Sequence, residues 1–332
     1  MYFCRHLNRF LSKGHTIMGL FSSLFSSTKA EEDNDRKAGL KNFDILKYDG
    51  IQALRIGKAA YALKCFTEAL KIQKDLETMK YMVTACNTLN NNDMALTTLN
   101  EMVAIGEEPV NTLLMRANFF FMMGKYAEAA ADCEQIVEME PDNFVAYFYL
   151  AKSESAVGNR TQAINYLDKA TALKEDLAEG YTLRADIYLA MGKGNEALSD
   201  IEKVIELTPE DEAAYLLRGR IHEMMGNVEA ASSDYAMTLE WNPFNETAYL
   251  LAGRLLMNQG KHDEVISLFS EAIEQIENPA KIYLARAFAK HQIGDHEGAL
   301  DDEQTAGELN PEAIGKPDEN PNFDNLYKGG IF

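Results

Sequence analysis

Long hydrophobic runs are missing from this 332-residue sequence: no stretch of about 18 uncharged apolar residues occurs, so it offers no membrane-spanning helix. Cysteine is scarce as well. Cys4, Cys65, Cys86 and Cys133 show no C-x-x-C spacing and are too few to staple a chain of this size, so they read as reduced and unpaired. Positive charge is in deficit, with 32 Lys and Arg against 52 Asp and Glu and a formal net charge of −20. A body that negative repels phosphate backbones, because nucleic-acid binding depends on Lys and Arg displacing counterions. DNA and RNA are therefore disfavoured as partners. The exception is local: Arg5, Arg9, Lys13 and Lys29 meet no acid within residues 1–30, which leaves membrane contact open for that segment alone.

Site chemistry is also sparse. His6, His15, His222, His262, His291 and His296 never pair at i, i+4, and no cysteine stands at ligand spacing from them, so neither a metal site nor a cofactor is expected. Enzyme chemistry needs a nucleophile beside a base, or paired carboxylates in a cleft. The acids here read as helix-surface residues and the cysteines as packing thiols, so no catalytic residue is assigned and the chain is read as a non-enzyme.

What the sequence does contain is a period. Gly124, Gly158, Gly192, Gly226, Gly260 and Gly294 are 34 residues apart, and so are Tyr147, Tyr181, Tyr215, Tyr249 and Tyr283. Ala129, Ala163, Ala197, Ala231 and Ala299 form a third ladder with Val265 in its gap, and Pro141, Pro209, Pro243 and Pro311 fall on multiples of the same interval. Apolar residues recur at helical spacing on both sides of each glycine, which predicts two helices and one turn per unit. The glycine supplies a left-handed residue that ends the first helix. The small residue five places later lets the second helix cross closely, and the proline is expected to stop that helix and open the next. Units begin at Val110, Phe144, Ala178, Glu212, Glu246 and Ala280, with two less regular copies from Phe43 and Leu76.

This pattern resembles the tetratricopeptide repeat family, a 34-residue helix–turn–helix with an aromatic, then Leu-Gly, Tyr, Ala, Phe and Pro in order. Here it runs Tyr215-Leu-Leu-Arg-Gly219, Gly226, Ala231, Tyr235, Pro243, with Tyr for the usual Trp. The resemblance implies an all-α, right-handed superhelical solenoid of about eight repeats, with first helices lining a concave groove and contacts only between neighbours. The expected organisation is a flexible basic segment and charged linker at 1–42, the array at 43–313, and a tail at 314–332.

Two sets of residues stand out. Arg116, Arg184, Arg218 and Arg286 share the seventh place of their repeats, and an acid follows sixteen residues later in each: Asp132, Asp200, Asp234 and Asp302. The repeats with Leu150 and Ala252 instead carry Tyr166 and Leu268 there. This co-occurrence predicts structural ion pairs between the two helices of a repeat, since an unpaired buried charge is costly. The second set is the stripe at places 5, 9 and 12 of the first helix, which in this family faces the groove: Leu114, Asn118 and Phe121, then Phe148 and Lys152, then Arg220, Arg254 and Phe288. The Lys and Asn clamp by which some family members hold chaperone tails is absent from the regular repeats, where place 5 is Leu, Phe or Thr and only Asn118 matches at place 9.

The resulting expectation is a cytoplasmic protein–protein interaction scaffold, or adaptor, that binds a peptide or helix in the concave groove. Arg220 and Arg254 would favour a ligand with an acidic group, the alternative being that each pairs with a nearby Glu such as Glu223, and self-association stays open. The alternative is a membrane-tethered assembly factor with peripheral membrane association, anchored around Leu20, Phe21, Leu24 and Phe25 after a Met18-Gly start. Because residues 1–29 show no repeat register, their removal is expected to leave the thermal midpoint and the helicity per residue nearly unchanged. A large fall in midpoint, followed by circular dichroism, would show instead that they cap the first repeat.

Overall fold

The computed structural model describes residues 39–310. The basic segment with Leu20 to Phe25, the last three residues of the expected array and the whole tail at 314–332 lie outside the described residues. Within them the chain forms sixteen helices in eight pairs, without a strand. The pairs are α1 (39–55) with α2 (Ala59–Ile72), α3 (Leu76–Thr88) with α4 (Asn92–Ile105), α5 (Pro109–Met122) with α6 (Tyr126–Met139), and α7 (Phe144–Ala156) with α8 (Arg160–Leu173). They continue as α9 (Ala178–Ala190) with α10 (Gly194–Leu207), α11 (Glu212–Met224) with α12 (Val228–Trp241), α13 (Glu246–Asn258) with α14 (His262–Gln275), and α15 (Ala280–Gln292) with α16 (His296–Leu309). Odd-numbered helices are the first helices of their repeats. The helices group into two compact units, one ending at Met139 and the other starting at Glu140.

Each pair turns on one left-handed residue. The six ladder glycines have φ between 71° and 85°. At Gly158 the following amide, Asn159 N–H, donates back to Glu154 O at 2.8 Å, and the glycine amide donates to Ser155 O at 3.0 Å, which satisfies carbonyls that the helix end leaves open. The second repeat has no glycine there. Asn90 takes its place at φ 53°, with Asn91 N–H donating to Cys86 O at 2.9 Å, because Asn tolerates this region better than other side chains.

Three details of the boundaries differ from the sequence expectation. Helix α1 takes in residues 39–42, which the composition assigned to the linker. Helix α5 starts at Pro109, one residue early, since a proline at the first position gives up no hydrogen bond. The ladder prolines Pro141, Pro209 and Pro243 do not open helices. They stand in the connection, and an Asn or Asp two residues later does the capping: Asn143 Oδ1 accepts from Ala146 N–H, Asp211 Oδ1 from Ala213 N–H and Asn245 Oδ1 from Ala248 N–H, each at 3.0 Å.

The core is a string of local clusters. In the first unit Phe66, Met79, Leu99, Met102 and Phe119 pack together. In the second unit separate clusters form around Leu167 with Ile187, Ile201 with Ile221, Tyr235 with Leu255, and Phe269 with Ile282. Ala129, Ala163, Ala197, Ala231, Val265 and Ala299 are fully buried between paired helices. A second complementarity lies sixteen residues apart. A Cβ added at Gly50 or Gly219 would come within 2.5 Å of the Phe66 or Tyr235 ring, and one at Gly253 would run into Phe269. Where the first position is Ala117, Ala151 or Ala185, the second is the smaller Cys133, Leu167 or Ile201.

Gly253→Ala tests this pairing, because helix propensity alone would make it stabilising. The Phe269 ring is fully buried, so overpacking is expected to win and to cost about 1–3 kcal/mol as a lower thermal midpoint. Adding Phe269→Leu should return part of the loss. A midpoint raised by Gly253→Ala alone would mean that the ring yields freely.

Candidate functional site

The four Arg/Asp pairs form forked ion pairs between the helices of a repeat. Arg116 donates from Nε and Nη2 to Asp132 at 2.8 and 2.6 Å, Arg184 to Asp200 at 2.8 and 2.7 Å, Arg218 to Asp234 at 3.0 and 2.6 Å, and Arg286 to Asp302 at 2.9 and 2.7 Å. The four carboxylates are buried. Such planar two-point contacts are the geometry for which guanidinium is suited.

A third partner has no counterpart in the sequence expectation. The remaining Nη1 reaches sixteen residues backward, to the second helix of the preceding repeat: Arg116 to Asn100 at 2.9 Å, Arg184 to Asp168 at 2.6 Å and Arg286 to Ser270 at 2.8 Å. Arg218 has Glu202 at the same offset as an electrostatic neighbour. The tyrosine ladder belongs to the same device, with Tyr181, Tyr215 and Tyr283 each lying 5.4 Å below the guanidinium three residues on. Where Leu150 replaces the Arg, Tyr147 stacks on Tyr166 at 6.3 Å, and where Ala252 replaces it Tyr249 is buried and Leu268 packs against its cluster. Tyr and Arg stand at i, i+3 in three of the repeats, at 181 and 184, 215 and 218, and 283 and 286, and that was the signal available.

The stripe is divided between the units. Leu114, Asn118 and Phe121 are half-buried on α5, where Phe121 packs on Tyr126 at 5.2 Å. On α7, Lys152 lies 5.7 and 5.1 Å from the Phe148 and Tyr149 rings, and burial lowers its pKa. Phe288 on α15 is half-buried against the cluster around Phe269, and Leu250 is a core residue at 4% exposure.

The two stripe arginines differ. Arg254 donates to both oxygens of Glu223, at 2.7 and 2.8 Å, and Glu223 also accepts from the Tyr235 hydroxyl at 2.9 Å. Arg220 is instead attracted by Asp186 on the neighbouring first helix without bonding to it. Asp186 is exposed by surface area, yet desolvation raises its pKa against that attraction.

Reactive groups are few here. Cys65, Cys86 and Cys133 are buried thiols, and burial pushes Cys133 up to about 12, which keeps it protonated at neutral pH. Among the described residues no group of three or more His, Cys, Asp or Glu is placed to hold a metal ion.

Arg218→Leu strands the Asp234 carboxylate, whose side chain is 5% exposed, and is expected to cost about 3 kcal/mol. Arg218→Leu with Asp234→Leu should recover much of it. Equal thermal midpoints of wild type and single variant would show that the pair contributes nothing.

Two family models, each described as a tetratricopeptide repeat, match residues 120–187 and 182–240. No curated protein matches the chain. Among solved structures, one from a functional characterisation of PilF of Pseudomonas aeruginosa aligns with a TM-score of 0.51 at 15% identity, covering 61% of this chain and 92% of that one. A tetratricopeptide repeat protein from Parabacteroides merdae gives 0.48 at 16% identity, over 87% and 98% of the two chains. YrrB, described as a repeat protein of this kind with an unusual peptide-binding site, gives 0.44 at 22% identity, over 54% and 93%. The matches, with the helix pairs and glycine turns found there, make residues 120–240 tetratricopeptide repeats, and the helix pairs on either side have the same form.

Proposed function

We propose that the protein is a non-catalytic interaction scaffold that holds a peptide or helix of a partner protein on the first-helix side of its second unit. The observation that carries this reading is the placement of Arg220. It is a cation on a chain of net charge −20, it bonds to no acid among the described residues, and it sits on the open face that also bears Asp186. Arg254 is withdrawn from the role expected of it, because Glu223 already takes its guanidinium. The ligand is then a segment with one carboxylate for Arg220 and an aromatic or aliphatic anchor for the Phe148 and Lys152 end of the same face.

No helix of the described residues is long and apolar enough to cross a membrane. We place the scaffold in the cytoplasm. The membrane-tethered alternative depends on residues outside those described.

Affinity purification with mass spectrometry, using the full chain as bait, tests the surface while the partner is still unidentified. Arg220→Ala with Phe148→Ala is expected to lower recovery of the bound partner about tenfold, as loss of a central anchor does, while Arg254→Ala with Glu223→Ala changes it little. Undiminished capture by the first double variant, with its thermal midpoint intact, would move the binding surface to the second helices.

A further inference from the structure

We propose that His291 and His296 form a binding site for a divalent transition-metal ion of the zinc, nickel or copper class. The two histidines are five residues apart, so they share no helix face; they meet because the Gly294 turn brings the end of α15 to the start of α16. Their Nδ1 atoms are 3.2 Å apart and their ring centroids 5.4 Å apart. Two imidazole nitrogens, each about 2.0–2.1 Å from one ion at a near-tetrahedral angle, are separated by roughly 3.3 Å. The spacing is that of a hydrogen bond from His296 Nδ1–H to His291 Nδ1, and an ion shared by the two nitrogens takes the place of that proton, which is released to water.

Glu303 prepares one of the ligands. His291 Nε2 lies 3.1 Å from Glu303 Oε1, and an ionised carboxylate can only accept, so Nε2 carries the proton and Nδ1 turns its lone pair toward His296. A carboxylate on the far nitrogen is the usual support of a metal-binding imidazole, since it fixes the tautomer and raises its basicity. Imidazole donors without thiolate suit zinc, nickel and copper(II) rather than calcium or magnesium.

Asp295 and Glu297 flank His296 in sequence, with Asp295 Oδ1 accepting from Gly298 N–H at 3.0 Å, and Lys290, which donates to Gly298 O at 3.1 Å, is neutralised by Asp302 at 2.9 Å. His296 is exposed and His291 half-buried, so water completes the coordination, and the ion clips the two helices of the last repeat together.

Zinc chloride titrated into the full chain tests this, read by calorimetry and by the imidazole resonances of His291 and His296. The expected result is saturable binding that moves both sets of ring resonances, with affinity at least about tenfold weaker in His296→Ala and about tenfold weaker in Glu303→Gln. Zinc should also raise the thermal midpoint of the wild type and not that of His296→Ala, because a ligand selective for the folded state stabilises it. Substitution at the exposed His296 leaves the fold in place, which circular dichroism checks. Absence of saturable binding, full affinity in His296→Ala, or unmoved His291 and His296 rings at saturating zinc would each overturn the proposal.

Discussion

A fixed offset of sixteen residues governs this molecule. It is the distance along the chain from a place on the first helix to the facing place on the second, and both helix pairing and charge burial depend on it. Gly219 admits the Tyr235 ring and Gly253 the Phe269 ring at this offset, while Arg184 meets Asp200 at the same interval. The turn residue makes the offset possible, because only a left-handed residue closes two helices within three residues. Once it is set, the partner of each buried residue is fixed by arithmetic.

The offset also works backward, and that joins one repeat to the next. Arg184 sits between Asp200 of its own repeat and Asp168 of the one before, so a single guanidinium orients two second helices. The acid surplus of the chain is therefore not only a surface property, since part of it neutralises cations that would otherwise be buried unpaired. Repeats without the Arg meet the same demand with rings or aliphatic side chains, as Tyr147 and Tyr166 do.

Much of this was legible without coordinates because the repeat prints the same structural demand several times. The glycine ladder identified the turns, and the joint presence or absence of Arg and Asp placed those residues across from one another. What stayed hidden lacked repetition or depended on geometry across helices. Asn90 replaces a glycine once, so no ladder exposes it, although its tolerance of left-handed backbone is a recognisable substitute. Glu223 was a candidate partner for either stripe arginine in the sequence, and its choice of Arg254, thirty-one residues away on the next first helix, over Arg220 follows from packing across helices. His291 and His296 lack the spacing of one helix face, yet a turn unites residues that a helix would separate. The prolines misled because their effect is to end helices, and the start of the next helix is set separately by Asn143, Asp211 and Asn245.

The junctions within the second unit are not made of the same material. The seventh and eighth repeats are joined through Arg286 and Ser270, the sixth and seventh through Arg254 and Glu223, and the fourth and fifth through Arg184 and a half-exposed Asp168. The fifth and sixth share the buried cluster of Ala185, Ile201, Val204, Leu217 and Ile221, and apolar clusters also span the other three junctions, around Leu167 with Ile187, Tyr235 with Leu255 and Phe269 with Ile282. Salt weakens the first kind of joint, most of all where Asp168 faces solvent, and cooling weakens the second. Each junction thus joins a polar contact of its own to an apolar cluster of a kind common to all four, so salt sets the junctions apart while cooling loosens every one of them.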